Sequence, residues 1–453
     1  MNILLPIETI NREIDFKIVL ASILSGQGHK IYIGQHDFLM SLLPSLHGGL
    51  YIGKNLFTKR SDLETGEKYN ILKERGFDII YLHEEGAVFG GRENDWIDVL
   101  KRQYSLDFFD ENDRICVWGE FQAQVDYSRS EGLNIATTGH PRFDLYKKKW
   151  NSYFDEETNQ IKSRYSSYIL INGNYGLANH GLGISHVFSE NGNYIAKDVE
   201  KRLKRIGFYA YSSKQLVSII NLTHHLAVKY PDRYFIYRPH PSENHDYYKT
   251  LFSGVENIIV NHDGSVGPWI LGADAIIHDG CTTAIEATLA GKPVINFKPF
   301  HDEQFDIWLP NQLGIRATSN EDVFNILDNL KSFNHSRLDS ASFEKLTNLF
   351  YNFKGDSFES ILKIIDSKIE DKHKYKSISP SLNFIRAKFI KMRLKQEFAK
   401  KFNSVLFKNS KYHGLKFYGF EHSFIKNKFL SVQNLMVKQV YFKIHNSFLI
   451  EVQ

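Results

Sequence analysis

Residues 274–297, DAIIHDGCTTAIEATLAGKPVINF, constrain the fold more than any other stretch, because they read as strand, tight polar turn, helix and second strand. Ala275–Ile277 is a short apolar run that stops at His278-Asp279-Gly280, and a helical pattern starts behind Cys281-Thr282-Thr283. Gly291 and Pro293 close that helix, and Val294–Phe297 resumes a buried strand. A hydroxyl at the N-cap, Thr282 or Thr283, leaves backbone N–H groups and the positive end of the helix dipole facing the turn, a setting suited to phosphate. Glu286 follows one turn later. A purely structural strand–helix–strand unit explains the strands and the Gly-Lys-Pro stop. It does not explain His, Asp, Cys and two Thr in one turn, so Asp279, Cys281, Thr282, Thr283 and Glu286 are candidate ligand contacts.

The same alternation runs through most of the chain. Strands are expected at 3–7, 30–34, 77–82, 114–118 and 134–138, with a helix through Ile18–Leu24 that ends at Gly26-Gln27-Gly28-His29. Two of these strands run into charged groups. The first delivers His83, Glu84, Glu85 and Gly86; the second delivers Gly139, His140, Pro141, Arg142, Phe143 and Asp144. Each group alone reads as a solvated loop, an ion pair or a helix cap, but carboxylates at strand ends also stand over the crevice where α/β sheets hold ligands. A polar stretch, 150–165, reads as a linker. Beyond it the strand Tyr168–Ile171 opens into Asn172-Gly173-Asn174-Tyr175-Gly176, where Gly173 and Asn174 would let backbone approach a phosphate or sugar or serve as turn residues. A helix at Lys214–Lys229 precedes the strand Tyr234–Tyr237, which delivers Arg238-Pro239-His240-Pro241; two prolines restrict the loop that offers Arg238 and His240.

At 453 residues the chain exceeds the usual single core, so two α/β domains, 1–150 and 165–370, are expected. The only cysteines, Cys116 and Cys281, lie in or beside predicted buried strands, which argues against a disulfide framework and a cysteine zinc site. No segment approaches the roughly 20 apolar residues of a membrane span, and a cytoplasmic location is expected. Charge is unevenly divided. Residues 371–453 carry 17 Lys and Arg against 4 Asp and Glu, a net of +13 that leaves −9 on residues 1–370 of a chain whose net is +4. Within this basic tail, 383–402 sets Ile385, Phe389, Met392 and Phe398 among Lys and Arg, the pattern of an amphipathic helix that either lies on an anionic membrane surface or packs on the body. No RNA-binding module accompanies the charge, so nucleic acid is not expected. Phe and Tyr are numerous, 34 and 24; most must be core, and some suit a sugar-stacking platform.

Taken together, Ile7-Glu8 with Arg12-Glu13, Glu84-Glu85-Gly86, the Gly139–Asp144 run, Arg238-Pro239-His240-Pro241 and His278–Thr283 with Glu286-Ala287 resemble bacterial surface-carbohydrate biosynthesis glycosyltransferases of GT-B type. The nearer likeness is to the retaining Kdo transferases of capsule and O-antigen (lipopolysaccharide) assembly, and the more distant one to CDP-glycerol glycerophosphotransferases. The resemblance implies two Rossmann-like domains facing a central cleft, with the basic C-terminal extension outside the likeness. It implies a CMP-linked 2-keto sugar such as Kdo as co-substrate, no other cofactor and no metal, and a glycan or lipid-linked glycan acceptor. Arg238, His240, Asp279, Cys281, Thr282, Thr283, Glu286, Gly173 and Asn174 would hold the nucleotide sugar, with Glu84, His140 and Arg142 on the acceptor side. Asp144 would be the nucleophile of a covalent sugar adduct and Glu85 the acid/base. His140 stands where the pattern has Asn. Two other expectations stay open: a CDP-polyol phosphotransferase with His140 as base and His240 as phosphate ligand, and a non-catalytic subunit that holds a polysaccharide synthase at the membrane.

Overall fold

The computed structural model describes all residues except 55, 61–62, 331–339, 371–376 and 402–416. The strands used below are β1 (Asn2–Ile7), β2 (Lys30–Gln35), β3 (Gly49–Gly53), β4 (Phe77–Leu82), β5 (Arg114–Val117), β6 (Ile135–Thr137), β7 (Tyr168–Asn172), β8 (Tyr234–Arg238), β9 (Ile258–Val260), β10 (Ala275–His278), β11 (Val294–Phe297), β12 (Ile315–Ala317), β13 (Phe442–Asn446) and β14 (Leu449–Val452). The helices are α1 (Ile10–Gly26), α2 (His36–Leu42), α3 (Val199–Lys229), α4 (Thr283–Leu289), α5 (Ser357–Glu370), α6 (Leu382–Lys401) and α7 (His422–Met436).

The chain forms two Rossmann-like α/β units. Unit 1 comprises 1–87, 97–145 and 345–453; unit 2 comprises 88–96 and 146–344. Unit 1 is built on an eight-stranded sheet of order β13-β14-β2-β1-β3-β4-β5-β6. Strands β1 to β6 are parallel, and all six residues of β1 are buried. That is why its sequence is a continuous apolar run instead of an alternation. The chain passes from β1 to β2 on one side and then crosses to β3 on the other, so the carboxyl ends of β1 and β3 flank the switch point of this sheet.

Unit 2 has a six-stranded parallel sheet of order β9-β8-β7-β10-β11-β12, with its switch point between β7 and β10. Leu216, Ile219, Leu222 and Leu226 of α3 pack with Ile169, Ile171, Phe235 and Tyr237. The apolar pattern predicts a helix only from Lys214. In the structure α3 starts at Val199, where the Asp198 side chain accepts from the backbone N–H of Lys201, and none of its residues before Ser212 is buried. Periodicity sees burial, and an exposed half-helix has none to show. The stretch expected as a linker contains the helix Asp155–Arg164, likewise without a buried residue.

The C-terminal segment departs most from expectation. Residues 345–370, assigned from sequence to the second domain, belong to unit 1, and the tail is no appendage. Strands β13 and β14 form a hairpin, and β14 extends the sheet antiparallel to β2, pairing Ile450 with Ile33 and Val452 with Ile31. Helix α7 buries Ile425, Phe429 and Val432. Lys428 on α7 reaches Asp15 on α1 at 2.8 Å, with both side chains nearly inaccessible. A net charge of +13 concealed a strand pair whose inward residues are apolar. Lys428→Ala leaves the Asp15 carboxylate buried beside a void, and is expected to cost about 3–5 kcal/mol of stability. The check is the urea midpoint of the purified chain, with Asp15→Asn/Lys428→Met expected to recover part of the loss.

Candidate functional site

In unit 1, charged side chains gather where parallel strands end. Glu8 follows β1, Lys54 follows β3, His83, Glu84 and Glu85 follow β4, and His140 lies just past β6. Lys54 Nζ is 3.2 Å from Glu8 Oε2. Glu13 reaches back over the start of α1, accepting from the backbone N–H groups of Glu8 at 3.2 Å and Thr9 at 3.1 Å, and it pairs with Lys17 at 2.7 Å. Arg12 donates to Glu85 at 3.0 Å. Lys54 was not expected from the sequence, and His83, though part of the His83–Gly86 run, was given no role there; Lys54 belongs to no dense polar motif, and only the shared sheet edge brings it in.

Lys54, Tyr81, His83, Glu84, Glu85 and Tyr104 line a pocket of ≈ 200 Å³, with Phe57 beside them. Tyr81 and Tyr104 stack with ring centroids 5.3 Å apart, and the His83 ring lies 4.7 Å from Tyr104. Such a wall is apolar on its faces and polar at its edges, which suits a sugar or polyol. Glu84 is the buried charge of this pocket. It is 3% exposed, Oε1 has no hydrogen-bond partner, and Oε2 faces only His140 Nε2, at 3.3 Å. His140 Nδ1 accepts from the backbone N–H of Arg142 at 3.2 Å, so the proton of the neutral ring sits on Nε2, toward Glu84. Burial drives the His140 pKa down to about 4 against the pull of Glu84, and burial takes His83 to about 3. Burial also acts to raise Glu84, but its contact with His140 and the charges of Lys54 and Lys17 outweigh it and hold the carboxyl well below its ordinary range. The pair is therefore a carboxylate backed by a neutral imidazole.

The other expectations for this unit change. Asp144, expected as the nucleophile, is fully buried: Oδ1 accepts from Asn352 Nδ2 at 2.9 Å, and Oδ2 accepts from the backbone N–H groups of Ser357 and Phe358 at the start of α5. It is a helix clasp and presents no oxygen to a substrate. Gly139 makes the corner possible, with φ +67° and no room for a Cβ, which would lie 2.3 Å from Asn352 Oδ1. Glu85, expected as the acid/base, has a side chain 65% exposed in an ion pair with Arg12. Partial desolvation acts to raise its pKa, but Arg12 and Lys54 hold it below the ordinary value, so it is not poised as an acid. Arg142 lies over the rings of Phe143 at 4.4 Å and Trp118 at 5.6 Å and is 6% exposed.

Unit 2 brings its expected residues to one sheet edge. Asn172, Arg238 and His278 end the adjacent strands β7, β8 and β10, so Gly173 and Asn174 on one side and Asp279, Gly280 and Cys281 on the other flank the switch point. Asn172 Oδ1, Asn296 Oδ1 and both side-chain polar atoms of Asn311 are buried there without a hydrogen-bond partner, the condition of groups that await a ligand or water. Asp279 is bound to Lys298 at 2.5 Å, and Lys298 to Asp306 at 2.8 Å; burial raises Asp279 against the pull of Lys298. Arg238 differs from expectation. It donates to Asn261 Oδ1 at 3.3 Å and to the carbonyls of Asp263 at 3.0 Å and Gly264 at 2.7 Å, so it organises the loop after β9. Burial lowers its pKa to about 10.

His240 is fixed from two sides. Its backbone N–H donates to Glu243 Oε1 at 3.1 Å, and its Nδ1 accepts from the Ser242 backbone at 3.2 Å. Glu243 also accepts from the backbone N–H of Tyr175 at 2.9 Å and from the Tyr248 hydroxyl, which joins the two loops expected to meet a phosphate. Burial pushes this carboxyl up to about 7. Thr282 has helical φ and ψ and makes no side-chain cap, so neither threonine caps α4 as expected. Thr283, Glu286 and Cys281 are buried, and burial raises the Cys281 thiol. Among the described residues no group of three or more His, Cys, Asp or Glu has metal-binding geometry.

No family model and no curated protein matches the sequence. Among solved structures, the chain is similar to the wall teichoic acid polymerase TagF, at 12% identity over 83% of this chain and 90% of that one, with a TM-score of 0.47. It is also similar to the UDP-GlcNAc 2-epimerase from Methanocaldococcus jannaschii, at 12% identity over 81% and 100% of the two chains and a TM-score of 0.46. The UDP-GlcNAc 2-epimerase from Neisseria meningitidis bound to UDP-GlcNAc gives 13%, 81%, 100% and 0.42. At these values the residue roles rest on the geometry above.

Asp144→Asn removes a charge-assisted clasp, and is expected to lower stability by about 2 kcal/mol while leaving the activity per folded molecule within a few-fold of wild type. Thermal melting and a rate normalised to the folded fraction check both halves. A pH dependence follows from His140. Its folded pKa is depressed below the unfolded value of about 6.5, so the unfolded chain binds more protons between the two values. Stability is complete above about pH 6.5 and is lost progressively as pH falls toward about 4, by up to about 3 kcal/mol. Urea titrations at neutral and mildly acid pH measure the slope, which His140→Gln is expected to flatten.

Proposed function

We propose that this chain is a transferase of cell-surface polymer synthesis that moves a sugar or polyol-phosphate group from a nucleotide-activated donor to a hydroxyl acceptor. One observation carries the reading: Glu84, a buried carboxylate with one oxygen unpartnered and the other on His140, lines a pocket with an aromatic wall at the carboxyl edge of a parallel sheet. In this reading the acceptor hydroxyl gives its proton to Glu84 as its oxygen bonds to the anomeric carbon or phosphorus of the donor. The bond to the leaving nucleotide oxygen breaks with its electron pair. His140 is a positioning residue that keeps the carboxylate ionised and oriented. The nucleotide is assigned to the unit 2 switch point, where the backbone of Gly173 and Asn174 and the imidazole of His240 supply donors to phosphate, and Asn172 Oδ1 and Asn296 Oδ1 accept from ribose hydroxyls.

A cytidine-type donor follows from the sequence resemblance, either a CMP-linked ulosonic acid such as Kdo or a CDP-polyol. The burial of Asp144 weighs against a covalent adduct on that residue and favours transfer in one displacement, which needs a base and no carboxylate nucleophile. The test incubates the purified chain with CMP-Kdo or CDP-glycerol and a lipid-linked glycan fraction, and follows nucleotide release by chromatography. Glu84→Gln is expected to lower acceptor-dependent release by roughly 100-fold or more, with nucleotide affinity measured by calorimetry unchanged. Full activity in that variant removes Glu84 from the mechanism. Failure of the wild type to bind any nucleotide puts the non-catalytic subunit in front.

A further inference from the structure

Helix α6 has two apolar stripes on opposite faces. The inner stripe packs on unit 1: Ile385 is 2% exposed, and the Phe389 ring lies 5.8 Å from that of Phe448. The outer stripe is Ile390 and Leu394, one turn apart, 58% and 54% exposed, and Phe398 continues the line at 57%. At 100° per residue the exposed side chains of Arg386 and Arg393 run along one border of this stripe, and Lys391 and Lys395 along the other. Sequence offers packing on the body and attachment to a membrane as alternatives. The helix uses different positions for each, and the inner contacts hold the outer face in place.

We propose that the outer face of α6 is a docking surface for an anionic lipid bilayer, with Ile390 and Leu394 entering the boundary between headgroups and acyl chains. Arg386, Arg393, Lys391 and Lys395 pair with lipid phosphates on either side. Charge complementarity selects this occupant. An apolar stripe with two cations along each edge against one acid, Glu397, matches a surface that is negative outside and apolar beneath, whereas a second copy of the same face would set mostly cation against cation. The surface is independent of the chemistry assigned to Glu84.

The test is co-sedimentation of the full chain with vesicles of phosphatidylcholine alone or with about 30% phosphatidylglycerol, the leaflet chemistry the basic borders require. Binding to the anionic vesicles only is expected. Ile390→Glu/Leu394→Glu should weaken it roughly tenfold or more with unchanged melting temperature, and Arg386→Gln or Arg393→Gln about fivefold each. Ile385→Glu, on the inner face, should instead lower the melting temperature. Absence of wild-type binding, or equal binding by the Ile390→Glu/Leu394→Glu chain, overturns the assignment. So does a lipid-free dimer that the same double variant abolishes.

Discussion

The clasp between Asn352 and the corner at residues 139–144 is the interaction on which the unit 1 site depends. Asn352 accepts from the His140 backbone N–H at 2.9 Å, donates to the His140 carbonyl at 3.0 Å and donates to Asp144 at 2.9 Å. Asp144 in turn closes the first turn of α5. The Asn352 amide thus bonds both backbone groups of His140 while Asp144 holds the amide, and the His140 ring stands edge-on to Phe16 with centroids 4.9 Å apart. That placement puts Nε2 at Glu84. Without the clasp, a fully buried imidazole would have no reason to face a buried carboxylate, since burial alone disfavours charge on both.

The same dependence explains what could be read from sequence. The sheets were legible because strands buried on both faces must be apolar throughout, as in Ile3–Leu5, Tyr168–Ile171 and Ala275–Ile277. The strand Gly49–Gly53 was not, because two glycines flank three apolar residues and leave too short a run. β13 and β14 were hidden for another reason: the segment's charge sits in its helices and outward positions, while Leu449, Ile450 and Val452 are fully buried. The expected site residues of unit 2 were found by position, since the carboxyl ends of adjacent parallel strands converge. Their roles were less legible. Arg238 looks in sequence like a phosphate ligand, but its partners are carbonyls more than 20 residues away. Asp144 binds groups more than 200 residues away. No local pattern distinguishes a carboxylate aimed at a crevice from one that caps a distant helix.

Burial sorts the titratable groups of each unit into distinct tasks. In unit 1, Glu13 spends its charge on two backbone N–H groups and Lys17, and Glu8 on Lys54, whereas Glu84 keeps Oε1 without a hydrogen bond and offers Oε2 only to His140. A carboxylate in that state is costly unless positive groups and a donor lie near it; Lys54 and Lys17 supply the charge and His140 the donor. In unit 2, Glu243 accepts three hydrogen bonds and is spent on holding the loops of Tyr175 and His240 together. The contrast between a saturated and an unsaturated buried carboxylate is a sharper guide to chemistry than the presence of acidic residues at strand ends, which both units share.

The charge asymmetry of the chain has a similar resolution. Seventeen Lys and Arg in residues 371–453 do not form one functional patch. Lys428 is consumed by the buried pair with Asp15, and Lys30, outside the segment, answers Glu451 within the sheet that the segment completes. Among the described residues, the outward cations include the borders of α6 together with Lys426, Lys438 and Lys443. An α-helix repeats every 3.6 residues, so positions 385 and 389 can be committed to the core while 390 and 394, half a turn away, stay available without weakening it. A segment that must both finish a sheet and meet an external surface is therefore expected to carry more cations than either task alone requires, because those in the core must be matched one for one by acids elsewhere in the unit.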